Sequence, residues 1–163
     1  MAAALKRYGS LIGMGSIILF FWIALPDTFM TARNWLNITQ QVSMLTVVAV
    51  AMTVVMVVGD FDLSVGSMAS LSGIVAAVLF TLGWPVPVAV GAALAVGLAG
   101  GLINGVLVSV IGILPFVATL ATLTMYSGAA FILSGGKTIF GRDIPQSFAD
   151  FAKSGLPLGS LGD

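Results

Sequence analysis

The stretch GDFDLSVGS, residues 59–67, separates two apolar runs, 42–58 and 65–82, of 17 and 18 residues. Together they cover 41 positions, about 61 Å of helix at 1.5 Å per residue, which fits two crossings of a hydrocarbon layer about 30 Å thick and not one. Asp60 and Asp62 are two of only six acidic residues in 163. An Asp at the centre of a spanning helix costs about 2.5–3.5 kcal/mol, so two of them would cancel much of what a run this short gains. The chain therefore has to leave the helix at this point, with both carboxylates turned away from lipid.

Composition extends that reading to the whole chain. Hydrophobic residues make up 59% and charged residues 7%, against roughly 25% charged in soluble domains. Six basic and six acidic side chains cannot coat a water-soluble surface, and a net charge of zero gives no reason to expect a nucleic-acid partner. There is no Cys, His or Glu. Disulfides, thiol chemistry, imidazole acid-base catalysis and most transition-metal sites go with them, and neither a cofactor nor a metal is expected.

The fold class expected is all-α, a polytopic transmembrane helical bundle with about five hydrophobic segments. Residues 1–163 read as one unit, with spans near 9–25, 42–58, 65–82, 88–111 and 116–133 and an extramembrane tail at 134–163. Lys6 and Arg7 precede the first span and hold the N-terminus in the cytoplasm, with no A-x-A cleavage site after it. Residues 26–41 form a polar connection, with Trp35 as an interfacial aromatic. Two prolines in GWPVP, 83–87, turn the chain before the fourth segment. Strict alternation of five crossings puts Lys137, Arg142 and Lys153 outside, against the positive-inside tendency, so one broken or re-entrant segment is the alternative.

Four groups of residues stand out. Gly59 ends one helix, and Asp62 caps the next by accepting a backbone N–H near Ser64 or Val65. A deeper break lining a polar path is the other reading, compatible with the first for Asp62. Asp60 has no capping task and leans to the path. Ala89, Ala93, Gly97, Gly101, Gly105 and Ser109 recur every four residues, a stripe of small side chains that lets another helix approach, so Gly97, Gly101 and Gly105 are expected to set helix spacing. Asn104, buried in hydrocarbon, needs a partner, either as glue between helices or as lining of a solute path.

Two chemical readings fail on the residues themselves. Carboxylates two positions apart do not converge on a helix, and a G-x-G-D protease signature would need glycine where Val57 stands, so no catalytic residue is expected. Gly136-Lys137-Thr138 imitates the end of a phosphate-binding loop. The first glycine of that loop would fall at Phe131, so no phosphate cradle forms.

GDFDLSVGSMASLSGIVAAVLF, GLINGVLV and PFVATLATLTMYSGAAFILSGGKTI, taken in order over about residues 34–141, resemble the membrane permease subunits of bacterial ABC importers for monosaccharides of the ribose, arabinose, galactose and xylose type. The combination of D-L-S-V-G-S with P-F-x-A-T-L is specific, whereas either alone is weak. Family members often carry a basic residue before P-F-x-A-T-L, where this chain has SVIGIL. They are also longer, and the stretch resembling G-G-N-x-x-A-A-x-x-S-G near the ATPase contact is absent here, so the resemblance is to an N-terminal half.

The resemblance implies a multi-pass protein of the bacterial inner membrane that moves a monosaccharide by alternating access. It implies pairing with a second permease copy, docking to cytoplasmic ABC ATPase subunits that hydrolyse ATP, and delivery by a periplasmic sugar-binding protein. Asp60, Asp62, Ser64 and Asn104 are then expected to line or gate the pathway, with Phe116 and Thr119 at the mouth of the fifth segment. The rival readings are a non-transporting assembly or scaffold subunit and an intramembrane aspartate enzyme.

Overall fold

The computed structural model describes residues 2–153, with side chains from Tyr8 to Asp150. Its elements are α1 (Ala2–Ala24), α2 (Pro26–Phe29), α3 (Ala32–Val57), α4 (Val65–Thr81), α5 (Val86–Gly105), a π-helical turn (Val106–Val110), α6 (Pro115–Ser134), a 3-10 turn (Gly141–Asp143) and α7 (Gln146–Lys153). No strand occurs among the described residues, and the fold is an all-α helical bundle. Three helices are long and apolar enough to cross a membrane, Ala32–Val57, Val86–Val110 and Pro115–Ser134, with mean hydropathies of 1.9, 2.1 and 1.7. α4 and the side-chain-resolved part of α1, Tyr8–Ala24, are apolar but shorter, and at 17 residues α4 sits at the lower limit of roughly 17 for a spanning helix.

Two compact units divide at Val47–Val48. In the first, the expected polar connection at 26–41 is helical instead. Thr31 Oγ1 accepts the Asn34 N–H at 3.3 Å, three residues on, and thereby caps the start of α3. From Ala32 to Val58 the sequence holds neither Gly nor Pro, so nothing stops the helix once it is capped. Trp35 packs edge-on against Phe29 at 5.8 Å, and Phe29 stacks on Phe21 at 5.6 Å. These rings tie α1, α2 and the first turn of α3 together.

The second unit is built on α4, which lies between α5 and α6 and packs extensively against both, while α5 and α6 barely touch each other. Leu71 of α4 with Tyr126 and Ala130 of α6 form its core, surrounded by Met68, Ile74, Val75, Val96 and Ala129. The close approach of α5 occurs at Gly100. A Cβ there would overlap the Met68 thioether methyl and lie 3.4 Å from Tyr126 Cζ, and the Tyr126 hydroxyl donates to the Gly100 carbonyl at 3.1 Å.

The stripe expected to set helix spacing is thus only partly a contact row within this chain. Gly97 meets Ser72 at 3.5 Å, but a Cβ at Gly101 or Gly105 would meet nothing within 4 Å. A step of four residues turns about 400°, so a strict four-residue repeat drifts about 40° off the contact face each time. Steps of three and four keep to that face and give Gly97, Gly100 and Asn104, the last two buried.

Three helices end in the same way. At α3, α4 and α6, a glycine with positive φ (Gly59 at 89°, Gly83 at 77°, Gly135 at 61°) follows the last turn. In each, the N–H of the next residue reaches back five positions: Asp60 to Val55 at 3.3 Å, Trp84 to Leu79 at 3.0 Å, Gly136 to Phe131 at 3.0 Å. Left-handed backbone without a Cβ penalty is what this cap requires. After α5 the pattern is stretched by one residue, because the π turn holds an extra one: Ile113 reaches Leu107, six back, around Gly112 at φ 81°.

The expected tail at 134–163 is described as far as Lys153, and residues 154–163 lie outside the described residues. Around Phe148 the chain forms the short helix α7, and Phe148 meets Phe80 of α4 at 5.2 Å between ring centres.

Candidate functional site

The loop between α3 and α4 is held from three sides. At its start, the Asp60 N–H closes the glycine cap of α3, a backbone duty that leaves the carboxylate free. At its end, Asp62 Oδ1 accepts both the Ser64 N–H and the Ser64 hydroxyl at 2.7 Å each. This turn delivers the Ser64 carbonyl to Met68, the first helical bond of α4 at 2.8 Å.

The loop is then tied to its neighbours. From α5, Asn104 Nδ2 donates to Ser64 Oγ at 2.7 Å and to Asp62 Oδ2 at 3.3 Å. From α6, the Thr119 hydroxyl donates at 2.8 Å to the Pro115 carbonyl and contacts the Phe61 carbonyl at 3.4 Å. Ser64, Asn104 and Thr119 are buried at 1%, 7% and 3% exposure. The direction of the network is fixed by chemistry, since an ionised carboxylate only accepts. Asn104 must therefore turn its amide nitrogen to Asp62, which leaves Asn104 Oδ1 buried with no donor among the described residues.

Beside this network lies a cavity of about 280 Å³, lined by Val55, Asp60, Phe61, Asp62, Gly101, Asn104, Gly105, Val108, Ser109, Pro115 and Thr119. The Asp60 carboxylate borders it with no hydrogen-bond or ion-pair partner among the described residues. Of the residues singled out in the sequence, Asp60, Asp62, Asn104 and Thr119 meet at this cavity, and Ser64 stands directly behind it. Phe116 does not. It is 59% exposed and absent from the lining, because it lies about 100° around α6 from Pro115, off the inward row of Pro115, Thr119, Thr122 and Tyr126.

Sequence reading missed Gly100, Thr122 and Tyr126. The available signal was the threonine and tyrosine spacing of α6, three to four residues apart, which places hydroxyls along one face. Tyr126 needs a partner in an apolar setting and finds it at Gly100.

Apolar helices of spanning length, beside a polar cavity walled by a helix break, define an all-α polytopic membrane protein. The comparisons sharpen this. A family model described as a branched-chain amino acid transport system permease component matches residues 34–158, and the chain belongs to that permease family.

The autoinducer 2 import system permease protein LsrD of Klebsiella pneumoniae subsp. pneumoniae is 40% identical over 119 residues, covering 69% of this chain and 36% of the relative. LsrD of Salmonella typhimurium is 32% identical over 163 residues, covering 94% and 49%. The xylose transport system permease protein XylH of Escherichia coli K12 is 34% identical over 153 residues, covering 90% and 39%. The chain thus spans about half or less of the length of these curated relatives. No solved structure matches it.

Proposed function

We propose that this chain supplies part of the translocation pathway of an ABC importer in the bacterial inner membrane, for a monosaccharide or a similarly small hydroxylated solute. The observation that carries the reading is the cavity at the helix break, where two carboxylates, an amide and two hydroxyls gather inside otherwise apolar helices. Unwound backbone at membrane depth is tolerated where it lines such a space. Membership of the permease family and the import functions printed for LsrD and XylH support it.

The chemistry of the lining bears on the solute. The family description speaks of branched-chain amino acids, whose carboxylate calls for a cation or a cluster of N–H donors. The cavity has no Lys or Arg among its lining residues and carries Asp60 and Asp62, which suits hydroxyl donors better. In this reading ATP is hydrolysed on separate cytoplasmic subunits, a periplasmic binding protein delivers the solute, and a second permease copy completes the path. The chain does no bond chemistry itself. Asp62 already accepts three hydrogen bonds from Ser64 and Asn104, which gives it a structural task in the loop.

Sugar uptake in cells that supply the remaining importer components tests the proposal. Asp60→Leu combined with Asn104→Leu is expected to lower uptake about tenfold, the consequence of losing roughly 1.4 kcal/mol of favourable polar lining, at unchanged abundance in the membrane. Undiminished uptake would contradict the pathway assignment.

A further inference from the structure

We propose that the Gly101, Gly105 and Ser109 face of α5 is the wall that sets the size of the cavity, admitting a small uncharged polyol and excluding bulkier solutes. This rests on the permease reading above and adds a specificity-determining surface to it. Glycine at 101 and 105 is not required by backbone conformation, since both lie within α5 and neither has a positive φ. Nor is it required by packing inside the described chain, because a Cβ at either position meets nothing within 4 Å. What the missing side chains leave is space, and both positions line the cavity together with Ser109.

The volume is consistent with that role. About 280 Å³ lies just under the usual range for small-molecule sites, about 300–1,000 Å³. A leucine at 101 or 105 would occupy much of what is open. An independent observation points to a ligand with hydroxyl donors. Asn104 lines the same cavity, is 7% exposed, and carries an Oδ1 that receives no hydrogen bond among the described residues. A buried acceptor left without a donor carries a desolvation cost that nothing offsets. A solute hydroxyl that donates to Asn104 Oδ1 relieves that cost. A carboxylate or a purely apolar solute does not.

The chain contains no Cys, so single cysteines report directly on the wall. In native membranes, Gly101→Cys and Gly105→Cys in the full chain are expected to react with a small charged methanethiosulfonate at least tenfold faster than Leu102→Cys, which is 61% exposed but outside the cavity. In cells supplying the remaining importer components, Gly105→Leu is expected to reduce D-xylose uptake at least tenfold at equal membrane abundance, and Gly105→Ala to reduce it less.

Unreactive cysteines at both positions would mean that a packed helix covers the stripe, and would overturn the proposal whatever uptake shows. Fast labelling with full uptake by Gly105→Leu would overturn it as well. Absence of uptake by the unsubstituted importer would instead overturn the functional reading, and the labelling rates would still decide whether this wall borders water.

Discussion

Asp62→Ala is expected to destabilise the chain by about 2–4 kcal/mol, measured as the shift in unfolding free energy in detergent micelles. Three donors lose their acceptor at once: the Ser64 N–H, the Ser64 hydroxyl and one Asn104 amide hydrogen. Ser64 is 1% exposed, so water does not replace what is lost, and each buried donor left unmade costs about 1–3 kcal/mol. Partial recovery is built in, because the Ser64 hydroxyl can swing to another acceptor. That keeps the sum below three full penalties.

Asp62→Asn is the informative control. The new amide retains one oxygen for the two Ser64 donors but presents an NH₂ where Asn104 Nδ2 donates. Rotating the Asn104 amide by half a turn brings its Oδ1 to the new NH₂ but gives up the Nδ2 bond to Ser64 Oγ, whose hydroxyl can turn to donate to that oxygen instead. The cost of Asp62→Asn is therefore expected to be about 1–2 kcal/mol, below that of Asp62→Ala, because only the turned Asn104 NH₂ is left without an acceptor. An equal loss in both variants would mean that charge, and not acceptor count, holds the loop.

Gly100→Leu is expected to be the second large effect, about 1–3 kcal/mol by the same measurement. The added side chain meets the Met68 terminus and the Tyr126 ring, and overpacking of a fitted contact costs that much. It also pushes α5 away from the Tyr126 hydroxyl, which donates to the Gly100 carbonyl. Gly100→Ala is expected to cost less, because the group it meets first is the flexible end of Met68. One residue on, a Cβ at Gly101 meets nothing within 4 Å, and Gly101→Leu is expected to change stability by less than about 0.5 kcal/mol. The contrast between adjacent glycines separates the contact face of α5 from its cavity face.

These two substitutions also show which features were legible in the sequence. The break at GDFDLS follows from insertion cost and segment length alone, and a glycine then an Asp at helix ends is enough to expect Gly59 and Asp62 as terminators. Asn104 had to find a partner, but the partner lies about forty residues earlier, and only the packing of α4 on α5 brings Ser64 and Asp62 to it. The glycine stripe divides between two faces of α5 for a geometric reason. A four-residue repeat is easy to see, yet it drifts around the helix, so the contact passed to Gly100 while Gly101 and Gly105 turned to the cavity. The polar look of residues 26–41 hid α3's start, although Thr31 followed by an uninterrupted run of residues without Gly or Pro carried the signal.

Phe116 stands outside the cavity lining for a related reason. Standing next to Pro115 in sequence, it was placed at the mouth of the segment, whereas one residue along a helix turns a side chain about 100° off its neighbour's face. Thr119, four residues on from Pro115, returns to that face and receives the loop.

The carboxylate of Asp60 is the most exposed test of the whole reading, because it borders the cavity with no partner among the described residues to explain its presence. Modification of Asp60→Cys by a membrane-impermeant thiol reagent, in native membranes with the importer's other components present, measures whether that position meets water. Reaction at a rate that changes when ATP is added is the predicted result. A cysteine that ignores the water-soluble reagent but reacts with a lipid-soluble maleimide would place position 60 against acyl chains and contradict the account.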